Sequence, residues 1–283
     1  LASAKFAVLG FGKLGGREMT FGSDLDIVFV YDDSADDMEL RTQMHRLSQR
    51  LVTALTLLMR EGRLYEVDTR LRPGGSDGPM ASSLSGFDLY FGQSAWTFEL
   101  QALSKARVVA SSDAAFAQRV EDVIARHICS ARDPEKLLAD VLDMRARIAK
   151  EHASRNPWHV KHVRGGLVDI DFIAQYLVLR YAQALPELWR REAGAVFAEA
   201  FGHGLLAPEA ATLLIEAKRF LSDCLSVSRL VSEDVLRDET ITTGLARTLG
   251  TTLNVADIET LKERLLTYEG GVKNLFDTLP ALA

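Results

Sequence analysis

The spacing of apolar positions gives the chain two textures. Residues 5–10 (KFAVLG) are a short apolar run closed by glycine, which predicts a buried strand. A glycine-rich stretch follows, GFGKLGG at 10–16. In SDLDIVFVYDD at 23–33, the core from Ile27 to Tyr31 is β-branched, apolar or aromatic and predicts a central strand. Residues 38–61 place Leu40, Met44, Leu47, Leu51, Leu55 and Leu58 three and four apart, the stripe of an amphipathic helix ending near Gly62. RLYEVDTRLRP at 63–73 alternates until Pro73 and predicts another strand. Residues 74–87 are turn formers and predict a loop. From about 113 the pattern is helical, with candidates at 134–152, 168–182, 187–202, 208–232 and 257–278. This order predicts an α+β domain over 1–131 and an all-α helical bundle over 132–283, divided at the turn-rich Arg132-Asp133-Pro134.

Composition narrows the class. The chain has 283 residues, 47% apolar and 25% charged, which is ordinary for globular proteins. Disordered, collagen-like and disulfide-stapled chains are excluded. Thirty-three basic against 39 acidic residues give −6, which argues against a general polyanion binder and against a nucleic-acid partner. No apolar run is long enough to span a membrane, and no signal peptide is evident. Cys129 and Cys224 sit in helical-looking segments without metal-ligand spacing, which suits reduced thiols in a cytoplasmic protein. The chain opens on Leu1 rather than Met and reaches its first strand within five residues, so it is expected to be a piece of a longer polypeptide.

The candidate chemistry lies on the predicted strands. Asp24 and Asp26, two apart at the mouth of an apolar strand, project to one side, while Leu25 and Ile27 face the core. Two carboxylates held that closely disfavour each other's ionisation. A divalent cation between them removes the conflict, and hard oxygen ligands suit Mg²⁺. On the strand predicted at 63–73, Leu64, Glu66, Asp68, Arg70 and Arg72 share one face, and Tyr65, Val67, Thr69 and Leu71 share the other. Carboxylates followed by guanidiniums read as metal ligand plus phosphate clamp, with a solvated strand edge as the plain alternative. Glycines in GKLGG permit close approach of backbone N–H groups to phosphate. Glu66 is either a neighbour of the site or the partner of Arg70. Glu99 lies in AWTFELQAL, where Trp96, Phe98 and Leu100 read as core. Asp169 and Asp171 follow Gly165-Gly166 at a helix start and suit the helix dipole better than a metal, because i and i+2 do not share a helical face. His159 and His162 read as structural or surface residues.

Gly15-Gly16, a short spacer, Ser23-Asp24-x-Asp26 on a strand, a helix and then Asp68 resemble the nucleotidyltransferase superfamily related to DNA polymerase β. The strings GFGKLGGREMTFGSDLDIVFVYD, YEVDTRLRPGGSDGP, AWTFELQALSKARVV and GGLVDIDFIAQYLVLRYA are similar to bacterial glutamine synthetase adenylyltransferase, a bifunctional family with two nucleotidyltransferase halves on one chain. The single Asp-x-Asp set matches one half, and YEVDTRLRP with AWTFELQAL resembles the C-terminal, adenylylating half. The resemblance implies a polymerase-β-type nucleotidyltransferase domain before the helical bundle, with ATP as substrate and Mg²⁺ or Mn²⁺ as cofactor. It implies glutamine synthetase as protein substrate and a PII signal protein as a partner of the parent chain. It assigns Asp24, Asp26 and Asp68 to metal and catalysis, with Asp68 either ligand or base. It assigns Gly15, Gly16, Ser23, Lys13, Arg17, Arg70, Arg72, Lys105 and Arg107 to the nucleotide. The deadenylylating half and a non-catalytic nucleotide- or PII-binding module are the alternatives.

Overall fold

The computed structural model describes residues 4–34, 38–58, 60, 62, 65–232 and 234–279. Leu64, expected on the charged strand face, and positions 59 and 61 of the expected helix lie outside these residues. The chain divides into two compact units, Leu1–Ala131 with Ala182–Glu192, and Arg132–Tyr181 with Ala193–Ala283.

Among the described residues, the first unit is built on a five-stranded mixed sheet. Its elements are β1 (Phe6–Gly10), α1 (Gly12–Gly16), β2 (Leu25–Tyr31), α2 (Met38–Thr56), β3 (Val67–Asp68), β4 (Ala81–Ser83), α3 (Leu84–Gln93), α4 (Thr97–Ser104), β5 (Arg107–Ser111) and α5 (Ala114–Ile128). The sheet order is β3-β2-β1-β5, with β4 also pairing β2. β1 is antiparallel to both β2 and β5, whereas β3 and β4 run parallel to β2. The apolar run of β2 is buried because Ile27, Phe29 and Tyr31 meet Phe6, Met44 and Ala81 in one cluster. Leu40, Leu47 and Leu51 of α2 pack against it, so the helical stripe covers one sheet face. The last two positions of that stripe differ from expectation: α2 ends at Thr56, leaving Leu55 and Leu58 exposed.

Two further expectations are corrected along this edge. The strand expected over 63–73 contains only Val67–Asp68 among its described residues. The Asp68 carboxylate accepts a hydrogen bond from the backbone N of Arg70 (2.8 Å), and this local turn pulls the chain off the sheet. The loop expected over 74–87 contains β4 and the start of α3. β3 faces Leu25 and Asp26, and β4 faces Phe29 to Tyr31, so both occupy one edge of β2. The chain between them leaves that edge and returns to it.

Residues 182–192, expected to begin a helix at 187, instead cross the first unit as a 3-10 turn (Pro186–Leu188) and a loop. Trp189 Nε1 donates to Ser104 O (2.8 Å) and Arg191 Nε donates to Ala106 O (2.7 Å).

The second unit is helical: α6 (Pro134–Glu151), α7 (Leu167–Tyr181), α8 (Ala193–Gly202), α9 (Pro208–Val231), α10 (Thr243–Leu253) and α11 (Ile258–Asp277). α6 starts where Asp133 caps the amides of Glu135 and Lys136 and Pro134 takes the first helical position. α7 is the most enclosed, with Ile170, Ile173, Tyr176 and Leu177 buried. On α9 the stripe Leu214, Ala217 and Leu221 is buried, as a bundle core requires. No helix among the described residues is long and apolar enough to cross a membrane.

Candidate active site

The carboxylates are positioned by how β2 begins. Phe11 N donates to Asp26 O (2.8 Å), and Leu25 N donates to Glu66 O (2.7 Å). The strand start is therefore tied to the glycine turn on one side and to the approach to β3 on the other. Parallel pairing sets Leu25 opposite Val67 and Asp26 opposite Asp68. Paired residues on adjacent strands share a sheet face, so register alone brings the Asp26 and Asp68 carboxylates together. Asp24 precedes Asp26 by one strand repeat and is exposed.

A cation already answers this charge. Arg70 donates from Nε to both Asp68 oxygens (3.1 and 2.9 Å) and from a terminal nitrogen to Oδ2 (2.5 Å). These side-chain bonds, ahead of the opposing effect of burial, hold Asp68 below the usual carboxylate range. The guanidinium is in turn held charged by Asp68 first, and also by Asp26 and Asp24. All three acids therefore act on one guanidinium. Among the described residues, no group of three or more His, Cys, Asp or Glu side chains stands in a ligating arrangement.

The glycine turn owes its residues to crowding. Gly12 has φ +49°, and a Cβ there would overlap Asp26 Oδ2. Gly12, one of the glycines of GKLGG, owes its place to a contact with Asp26, which is distant in sequence and leaves no local signal. A Cβ on Gly15 would overlap Lys105 O, and one on Gly16 would stand 2.6 Å from Glu18 Oε2. Arg17 follows in the left-handed region at φ 60° and is exposed.

The remaining candidates separate by burial. Ser23 is buried; its Oγ accepts from Thr20 N (3.0 Å) and bonds Thr20 Oγ1, which accepts from Lys13 Nζ (3.3 Å). Lys105 pairs with Glu18 at 2.6 Å, both largely buried. Arg107 donates to Gly15 O (3.0 Å) and Leu14 O (3.1 Å), closing the end of α1. Burial, and then the nearby Arg17 charge, pull the Arg107 guanidinium below its usual range. Arg72 donates to Thr69 O (2.8 Å), Ser76 O (2.9 Å) and Gly78 O (3.1 Å), so it holds the turn after β3 rather than standing on a strand face. The structure thus gathers Asp24, Asp26, Asp68 and Arg70 in one place. It commits Lys105, Arg107 and Arg72 to shaping the two adjoining turns.

The family model for glutamate-ammonia ligase adenylyltransferase matches residues 2–123, and that for GlnD PII-uridylyltransferase matches residues 138–280. Over its first 123 residues the chain is thus similar to the glutamate-ammonia ligase adenylyltransferase family. It is 41% identical over 288 residues to the bifunctional glutamine synthetase adenylyltransferase/adenylyl-removing enzyme of Xanthobacter autotrophicus, covering 99% of this chain and 29% of that protein. It is 37% identical to the enzyme of the same name from Bradyrhizobium diazoefficiens (96% of this chain, 28% of that protein). The value is 38% for the one from Rhodopseudomonas palustris strain BisB5, with the same coverage. The chain thus spans less than a third of the length of these relatives.

Other residues singled out in the sequence have structural roles. Glu99 accepts from Trp96 N (2.8 Å) and from Tyr90 Oη (2.5 Å), fixing the start of α4. Trp96 and Phe98, expected in the core, are 72% and 41% exposed, because they flank that helix start on its solvent side. Asp169, expected as a dipole acid, is fully buried and accepts from Arg145 Nε, Arg164 (3.0 Å) and Gly165 N. Asp171 pairs separately with Lys218 (3.2 Å). The His162 ring meets His152 at a tilt and His159 edge-on, with ring centroids 4.3 and 5.2 Å away. Burial, chiefly, pulls its imidazole down to about 4.

Proposed function

We propose that the first unit is a nucleotidyltransferase centre that transfers AMP from ATP to a tyrosine hydroxyl of glutamine synthetase, releasing pyrophosphate. The observation carrying this reading is the register of Asp26 against Asp68 beside Asp24, with a cation drawn to the group. The all-oxygen donor set fits a hard divalent ion such as Mg²⁺ or Mn²⁺. Asp24, Asp26 and Asp68 would hold it once Arg70 releases Asp68. When bound, such an ion neutralises phosphate charge and makes an attacking hydroxyl more acidic.

The protein groups do the rest. Asp68, held ionised by its hydrogen bonds, is available to accept the hydroxyl proton or to serve as ligand. The exposed Arg17 and Arg70 are assigned to phosphate contact, with Lys13, Ser23 and the Gly15-Gly16 segment beside them. Lys105, Arg107 and Arg72 act on the nucleotide through the turns they hold. YEVDTRLRP and AWTFELQAL favour the adenylylating direction, in which ATP is consumed. The relatives' names carry both activities, so phosphorolytic removal of AMP is the second reading. The helical unit is assigned to docking glutamine synthetase or to passing signals between the two halves found in the relatives.

The test replaces Asp24 and Asp26 by Asn. AMP transfer to glutamine synthetase should fall by orders of magnitude while the circular dichroism spectrum is unchanged. Wild-type transfer by the double variant would refute the assignment. Incubating wild type with unmodified glutamine synthetase and ATP, or with the adenylylated form and phosphate, decides the direction.

A further inference from the structure

Arg70 and Arg72 are two residues apart and oppositely built. Arg72 is 9% exposed and donates into three backbone carbonyls, so nothing short of unfolding the turn frees it. Arg70 has a 76% exposed side chain that pairs with the Asp68 carboxylate. Its guanidinium covers both oxygens of that carboxylate, yet no packing holds it there. It leaves by rotation about its own side-chain bonds. The separate bond from Arg70 N to Asp68 Oδ1 (2.8 Å) does not depend on the side chain and survives the departure. Asp68 would then keep its orientation with Oδ2 uncovered.

We propose that Arg70 is an exchangeable tethered cation: it neutralises the Asp24–Asp26–Asp68 group in the absence of a divalent ion and must leave Asp68 for one to bind. This rests on the reading of those carboxylates as a metal site. A guanidinium and a divalent ion cannot share the same carboxylate edge, and their charges repel. Arg70 therefore sets the affinity of the site for metal. The displaced guanidinium, still tethered, is released beside the phosphates that accompany the ion, where a planar fork is a good ligand. Neutralisation passes from a side chain to an ion without the three carboxylates facing one another uncompensated.

The experiment measures Mn²⁺ binding to the 283-residue chain by electron paramagnetic resonance of the free ion, without nucleotide. Arg70→Gln removes the competing charge and should tighten binding by about two- to fivefold, as befits an exposed, screened pair. Asp68→Asn should weaken binding. In the Asp68→Asn background, Arg70→Gln should change affinity by less than about twofold, because the covered carboxylate is gone. Unchanged or weaker binding by Arg70→Gln overturns the proposal. So does a gain that persists undiminished in the Asp68→Asn background, since that reports only the general field. If Asp24→Asn with Asp26→Asn binds Mn²⁺ as wild type does, the metal-site reading itself fails, a result distinct from the other two.

Discussion

Asp169 offers the sharpest test of how the helical unit is held together. Its carboxylate is fully buried, and its partner Arg145 is 1% exposed. Besides Arg145 it accepts from Arg164 and from the amide of Gly165. Asp169→Ala strands a buried guanidinium and an amide, and removing one partner of a buried pair costs about 3–5 kcal/mol. Against a typical domain stability of about 5–15 kcal/mol, that is a large fraction. The exposed Arg147–Asp143 pair on α6 gives the contrast, since Asp143→Ala should cost about 1 kcal/mol or less. The assay is urea unfolding in a Trp96→Phe, Trp189→Phe background, where Trp158 reports on the second unit alone. Arg145→Met should be costly too, but the double variant should be less destabilised than the sum by about 1–3 kcal/mol. A loss below about 1 kcal/mol for Asp169→Ala, or strict additivity with Arg145→Met, would refute the reasoning.

Other outcomes follow from the same geometry. Burial pushes the Glu269 carboxyl from 4.5 up to about 8. The folded state therefore keeps a proton that the unfolded chain has lost, and stability falls as pH rises between those values, by at most about 1.4 kcal/mol per unit. Glu269→Gln should flatten that slope and raise the melting temperature at pH 8; an unchanged slope refutes the assignment. Gly12→Ala forces a methyl group onto Asp26 Oδ2 at a positive φ. It should weaken Mn²⁺ binding at least tenfold with little change in secondary structure, and wild-type affinity would show that the turn yields.

Much of the fold was legible because β1, β2 and α2 carry their own period. Ile27, Phe29 and Tyr31 need a covered face, and the stripe from Leu40 to Leu51 supplies one. The alternation in RLYEVDTRLRP continued past the strand because periodicity is blind to a side chain capturing an amide, as Asp68 captures that of Arg70. Ala81–Ser83 carries no strand propensity and pairs only because β2 offers an open edge. At the candidate site, spacing put Asp24 and Asp26 on one side of a strand, and the register sets Asp68 opposite Asp26. The destinations of the basic residues were not legible, since Lys105 meets Glu18 and Arg107 meets the carbonyls of α1 only through tertiary structure.

The return of residues 182–192 to the first unit bears on the order of folding. Trp189 and Arg191 satisfy the carbonyls of Ser104 and Ala106, and Arg191 also pairs with Glu121. During synthesis these partners emerge only after α6 and α7 have been made. The first unit therefore cannot finish folding from its own contiguous stretch of chain, and the two units must mature in an interleaved order rather than one after the other.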